Sequence, residues 1–245
     1  PNGAGKSTTM NIITGYLAAT SGEVKINGFD VLKQPEEAKK CVGYLPELPP
    51  LYMDMTVKEY LDFVAELKKL EKSLRAGYVK EAMKITKTEE VSGRLIRNLS
   101  KGYRQRVGFA QAVLGYPEIL ILDEPTNHMD IVGKEALEQM LREYEGTVLF
   151  VSHDRYFISR IATGILEFSE SGVKQYAMSY EEYLAEKQKE MEISGKGRGM
   201  SQSARYVSGN DTQNSVGNEK HNQHQSGIKT DADVPTLTDV FDKKT

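Results

Sequence analysis

Apolar and polar positions change period several times along the chain. Over residues 7–17, Met10, Ile13 and Leu17 recur at helical spacing, which predicts a helix with one buried face. Glu23 to Val31 alternates and turns at Asn27-Gly28, the spelling of a β-hairpin. Cys41-Val42-Gly43-Tyr44-Leu45 is a short apolar strand, stopped by Pro46 and by Pro49-Pro50. Thr56-Val57-Lys58-Glu59 is a capping box that opens a helix running to about Leu70, and a charged helix follows near Leu74 to Ile85. Residues 53–98 contain no strand-like run and read as a helical insertion. Ser100 caps a helix that carries Tyr103, Val107, Ala110 and Leu114 on one face and ends at Gly115 and Pro117.

Ile119-Leu120-Ile121-Leu122 is apolar at every position, as a strand covered on both faces must be. A helix from Ile131, a second buried strand at Thr147 to Val151 and a short helix near Tyr156 follow. Strand segments at Ile165 to Phe168 and Val173 to Tyr176 and a Ser179-capped helix complete the alternation. The pattern predicts an α/β fold with a mainly parallel sheet and an inserted helical subdomain over residues 1–191. From about Glu192 the periodicity dissolves into Gly, Ser, Asn and Gln, so residues 192–245 are expected to be a disordered tail. His221 and His224 lie in that solvated stretch and carry no metal expectation.

Composition narrows the picture. At 245 residues and 39% hydrophobic content the chain can bury a full core. A formal charge of -3 without a long basic run argues against a surface built mainly for nucleic acid. The single Cys41 excludes an internal disulfide framework and fits a reducing cytosol. Since no apolar stretch approaches the roughly 20 residues of a membrane helix, membrane contact is expected only through a partner.

The candidate chemistry begins at the first residue. Pro1-Asn2-Gly3-Ala4-Gly5-Lys6-Ser7-Thr8 follows the phosphate-loop pattern G-x-x-x-x-G-K-[ST], with the opening glycine falling before position 1, so the chain reads as N-terminally truncated. Small residues let the backbone N–H groups of Asn2, Gly3, Ala4 and Gly5 curl around phosphates. Lys6 reaches the β- and γ-phosphates, Ser7 offers a hydroxyl to Mg²⁺, and Thr8 continues into a helix whose N-terminus favours anions. Asp123 and Glu124 end the buried Ile119–Leu122 strand, where α/β folds place ligands. There Asp123 is positioned to hold Mg²⁺ and Glu124 to act as base for an attacking water. Ser152-His153 ends the next strand, and a neutral imidazole there can donate to a γ-phosphate oxygen.

With these motifs the chain resembles the nucleotide-binding domain of the ATP-binding cassette (ABC) superfamily over residues 1 to about 190, a P-loop NTPase fold. The superfamily's signature is represented by Leu99-Ser100-Lys101-Gly102-Tyr103-Arg104-Gln105-Arg106, in which Lys101 and Tyr103 depart from the usual L-S-G-G-Q. The resemblance implies ATP and Mg²⁺ as cofactors. It also implies that Ser100 and Gly102 close on ATP held by the P-loop of a second cassette in a head-to-tail dimer. It places Glu47 where the family has a glutamine that senses Mg²⁺ and the transporter, and makes Asp130 the aspartate that links the two sites.

Two branches are represented. Residues 1 to about 126, with Val42-Gly43-Tyr44-Leu45-Pro46-Glu47 and the signature, resemble ATPase subunits of bacterial ABC exporters. Residues from about 120 to 190, with Thr126-Asn127-His128-Met129-Asp130-Ile131 and Val151-Ser152-His153-Asp154-Arg155-Tyr156-Phe157, resemble the C-terminal cassette of ABC-F proteins, which act on ribosomes. The chain is read as a hybrid of the two, or as one lineage with unusual spelling. The resemblance implies an exporter ATPase in the cytoplasm, peripheral to the inner face of the membrane through a separate permease. The alternatives are an ABC-F type ATPase, or an inactive cassette that lacks the strand before the P-loop and the family's adenine-stacking aromatic residue.

Overall fold

The computed structural model describes residues 5–169 and 172–196. Helix α1, Lys6–Ile13, is followed by a hairpin of β1, Lys25–Ile26, and β2, Phe29–Asp30, turning at Asn27-Gly28 as expected. Next come α2, Pro35–Lys40, and β3, Val42–Leu45. The helical insertion holds α3, Val57–Leu67, and α4, Lys72–Ile85, with single 3-10 turns at Glu89–Val91 and Ile96–Asn98. The chain then runs through α5, Lys101–Val113; β4, Ile119–Asp123; α6, Ile131–Glu143; β5, Thr147–Val151; and α7, Arg155–Ile161. It closes with an antiparallel pair, β6, Ile165–Ser169, and β7, Gly172–Tyr176, and with α8, Tyr180–Lys196.

The central sheet is parallel, in the order β3-β4-β5. The period-2 alternation of β4 divides the core into two layers. Leu120 and Leu122 join the insertion and α5 on one face, whereas Ile121 joins Met10 and Ile13 of α1, Ile26, Val31 and Ala38 on the other. Both faces are covered, so β4 tolerates no polar residue until Asp123. The Thr56 capping box is formed in full, Thr56 Oγ1 accepting from the Glu59 N–H while the Glu59 carboxylate accepts from the Thr56 N–H.

The structure corrects several boundaries. Helix α1 stops at Ile13, because the N–H groups of Tyr16 and Leu17 both return to the Asn11 carbonyl and Gly15 adopts φ 70°. Leu17 therefore leaves the buried face. Strand β5 is half-buried rather than buried, since among the described residues it pairs only with β4. Helix α2 was unforeseen. Helix α8 continues to Lys196, past the expected start of the tail at Glu192, and residues 197–245 lie outside the described residues. The chain divides into compact units at 1–185 and 186–245, and of the second only the helical residues 186–196 are described.

Candidate functional site

Three parallel strands end at the same edge, and each exit carries a titratable side chain. Glu47 follows β3, Asp123 and Glu124 close β4, and His153 follows β5. The register pairs Asp123 with Val151 and Leu45 with Leu122, which brings the three exits to one level. Lys6 opens α1 near enough to Asp123 to favour its ionised form. Gly5 is the helix N-cap in a left-handed conformation, φ 89°, and Lys6, Ser7 and Thr8 form the first turn. The N–H groups of such a first turn have no acceptor within their own helix. Asn2, Gly3 and Ala4 lie outside the described residues.

Glu124 is the most constrained member. It is buried, with φ 47°, held there by its N–H to the Val151 carbonyl at 2.9 Å and by the Asn127 N–H to its own carbonyl at 3.1 Å. Its Oε2 accepts the backbone N–H of His153 at 3.1 Å. Its Oε1 is buried without a hydrogen-bond partner, and His153 Nε2 stands 3.4 Å from it. The imidazole itself is 72% exposed. Burial, reinforced by Asp123 and Glu47, raises the Glu124 pKa against the opposing His153 N–H and imidazole. Asp123 is raised as well, by burial first and then by Glu47, with Lys6 acting the other way. Three carboxylates thus crowd one partly desolvated edge, which a cation would relieve.

Ser100 and Gly102 belong to a second cluster, at the start of α5. Ser100 Oγ accepts the Tyr103 N–H at 3.3 Å and caps the helix. Gly102 lies against the loop before α6, where a Cβ would stand 2.9 Å from the His128 carbonyl oxygen. Any side chain there would push the two segments apart. Asp130 caps α6 through the Gly133 N–H at 2.8 Å and pairs with Arg106 of α5, and these contacts hold its pKa low.

Against known proteins, the family described as ABC transporter matches residues 1–127. The chain belongs to the ABC transporter family. The cassette is 37% identical over 155 residues to the uncharacterized ABC transporter ATP-binding protein YxlF of Bacillus subtilis (strain 168), covering 62% of this chain and 51% of that protein. It is 35% identical over 185 residues to ABC transporter F family member 5 of Arabidopsis thaliana, covering 75% of this chain and 25% of that protein. A solved dimeric structure of a post-hydrolysis state of the ATP-binding cassette MJ0796, bound to ADP and Pi, matches with TM-score 0.63 at 25% identity, covering 73% of this chain and 82% of that one. The chain spans about half the length of the first relative and a quarter of the second. Among the described residues no helix is long and apolar enough to cross a membrane.

The cassette's acidic edge fits Mg²⁺. The available donors are hard oxygens, the Asp123 and Glu47 carboxylates and the Ser7 hydroxyl, as that ion prefers. Among the described residues no three His, Cys, Asp or Glu side chains group closely enough to hold a metal alone. That suits an ion bound through one or two carboxylates together with a ligand's phosphates.

Sequence reasoning gave no role to Arg106, which is only 5% exposed and paired to Asp130. Its signal was present, since it stands three residues after Tyr103 beside Val107 and Ala110, and a charge against an apolar helix face implies a buried partner. Asp154 was also passed over. It caps α7 through the Phe157 N–H at 3.1 Å and pairs with Lys134 at 2.8 Å.

Proposed function

We propose that this chain is the ATP-binding and ATP-hydrolysing cassette of an ABC exporter, working as a dimer beneath a separately encoded membrane permease. The observation that carries the reading is the convergence of Lys6, Asp123, Glu124, Glu47 and His153 at one sheet edge. In the mechanism, Lys6 and the N–H groups of Asn2, Gly3, Ala4, Gly5 and Thr8 bind the phosphates. Ser7, Asp123 and Glu47 would hold Mg²⁺, which supplies positive charge against the phosphate oxygens. Glu124, with an unpartnered buried oxygen and a raised pKa, takes the proton of the attacking water. His153 donates to the γ-phosphate. Ser100 and Gly102 present a hydroxyl and bare backbone to the nucleotide of the second cassette, and Asp130 connects the two sites.

Calorimetric titration of the full-length protein with Mg-ATP tests the assignment. Wild type should bind and Lys6→Ala should not. Equal affinity in the two proteins would overturn it.

A second reading is favoured by one finding: the F family member aligns over 75% of this chain, against 62% for YxlF. On that reading the cassette serves a ribosome-associated ATPase. ATP-dependent co-sedimentation with ribosomes would select it, whereas co-purification with a membrane permease selects the exporter. A protein that binds ATP yet never releases phosphate would be an inactive cassette.

A further inference from the structure

Arg106, a buried charge of α5, reaches three other groups along the chain. Its guanidinium donates to Asp130, Nη1 lies 3.5 Å from the Lys87 carbonyl oxygen, and Cζ stands 4.9 Å from the Tyr103 ring centroid. The Tyr103 hydroxyl in turn donates to Glu90. The pair is asymmetric, since Arg106 is 5% exposed and Asp130 63% exposed. The arginine is therefore enclosed by its surroundings, and it gives Asp130, already capping α6 through the Gly133 N–H, a second anchor on α5. Two glycines make the contact possible. Gly102 admits the His128 carbonyl, and a Cβ on Gly133 would lie 2.8 Å from Arg106 Nε. His128 holds φ 61°, a conformation a non-glycine residue keeps only when its neighbours enforce it.

We infer that Arg106 is a positioning residue that locks the turn Ser100–Gly102 and the loop His128–Asp130 into one rigid unit, so that both meet the second cassette together. The inference rests on the dimeric ATPase reading above for its consequence, though not for the lock itself. Tyr103, at a position where the family usually has glutamine, stacks its ring on the guanidinium and is itself held by Glu90. Binding energy at a dimer interface is then not spent on ordering two loops separately.

Amide hydrogen exchange on the full-length protein tests the lock, with wild type, Arg106→Gln and Asp130→Asn compared. Asparagine is as good an N-cap as aspartate, so Asp130→Asn keeps the Gly133 contact and removes only the charge facing Arg106. In both variants exchange should accelerate about tenfold at residues 101–104 and 127–130 together, and stay unchanged at residues 5–9. Mg-ATP affinity of the Arg106→Gln monomer should be unchanged. The ATP-dependent dimer formed in a Glu124→Gln background should weaken about tenfold, a split that a general loss of stability does not produce.

Unchanged exchange in Asp130→Asn, or acceleration in only one of the two segments, overturns the rigid unit. Acceleration in both with an unweakened dimer overturns its role in assembly. If Arg106→Gln does not fold, Asp130→Asn decides the question alone. Failure of the parent Glu124→Gln protein to dimerise with ATP would instead reject the dimeric reading, and the exchange result would still decide the lock.

Discussion

At the residue scale the proposed mechanism gives Asp123, the last residue of β4, and Glu124 beside it different tasks, and their surroundings differ accordingly. Asp123 is half-buried at the strand end, within the influence of Lys6 and Glu47. Glu124 is turned by its positive φ into a buried position beside His153. Glu124→Gln keeps the shape and loses the base, so phosphate release should fall roughly 10²- to 10⁴-fold while ATP binding survives. Asp123→Asn should instead raise the Mg²⁺ concentration needed for half-maximal rate, because a neutral amide is a poor ligand for a hard cation. Phosphate release measured across a Mg²⁺ series distinguishes the two. The same shift in both variants would remove the division of labour. Asp123, Glu124 and His153 were legible in the sequence because each ends an apolar run. The left-handed turn at Glu124 and the identity of the partner of Arg106 were not, since they depend on groups 24 to 29 residues away.

At the element scale a lysine ties the helical insertion to the end of α5. Lys68, just past the end of α3, donates to the carbonyl of Leu114 at 2.9 Å and to that of Gln111 at 3.1 Å, at the end of α5. A cation at a helix C-terminus is favourable, yet burial pushes the Lys68 pKa down to about 8 from the ordinary 10.5. Between those values the unfolded chain binds the extra proton, so this group's contribution to stability rises with pH through the window. Lys68→Met should cost about 1–3 kcal/mol near neutral pH, because the carbonyls lose their donor. The gap between wild type and variant should then widen from pH 8 to pH 10.5, as wild type alone gains. Urea unfolding at several pH values measures it. A gap independent of pH would show that the carbonyls fully offset burial. Elements with their own punctuation were read correctly, such as the Thr56 and Ser100 caps. Helix α2 carried equally good marks, Pro35 at its start, Glu36 and Glu37 in its first turn and Lys39 and Lys40 in its last, but at six residues it has no apolar period to draw attention. The overlong expectation for α1 followed Leu17, which the Asn11 turn diverts to the surface.

At the scale of the whole molecule, the chain presents two clusters that a single copy uses differently. The acidic edge with Lys6 gathers the groups to which the proposed mechanism assigns hydrolysis. The Ser100–Gly102 turn, locked to His128–Asp130, holds groups whose contacts within the chain are a helix cap and a close backbone approach. If those groups close on the nucleotide of a second copy, each γ-phosphate joins Lys6 of one copy to Ser100 and Gly102 of the other, and hydrolysis breaks the joint. Glu124→Gln should then accumulate as a dimer with Mg-ATP and remain monomeric without it, in sedimentation velocity on the full-length protein. Adding Lys6→Ala to that variant should return it to monomer, because neither nucleotide is any longer held by the lysine of its own copy. Ser100→Ala should weaken the dimer and leave ATP binding to the monomer intact, since within its own chain that hydroxyl only caps α5. A Glu124→Gln protein that is monomeric in both conditions while still binding ATP would leave the Ser100 cluster without a partner, and would favour a cassette that works alone.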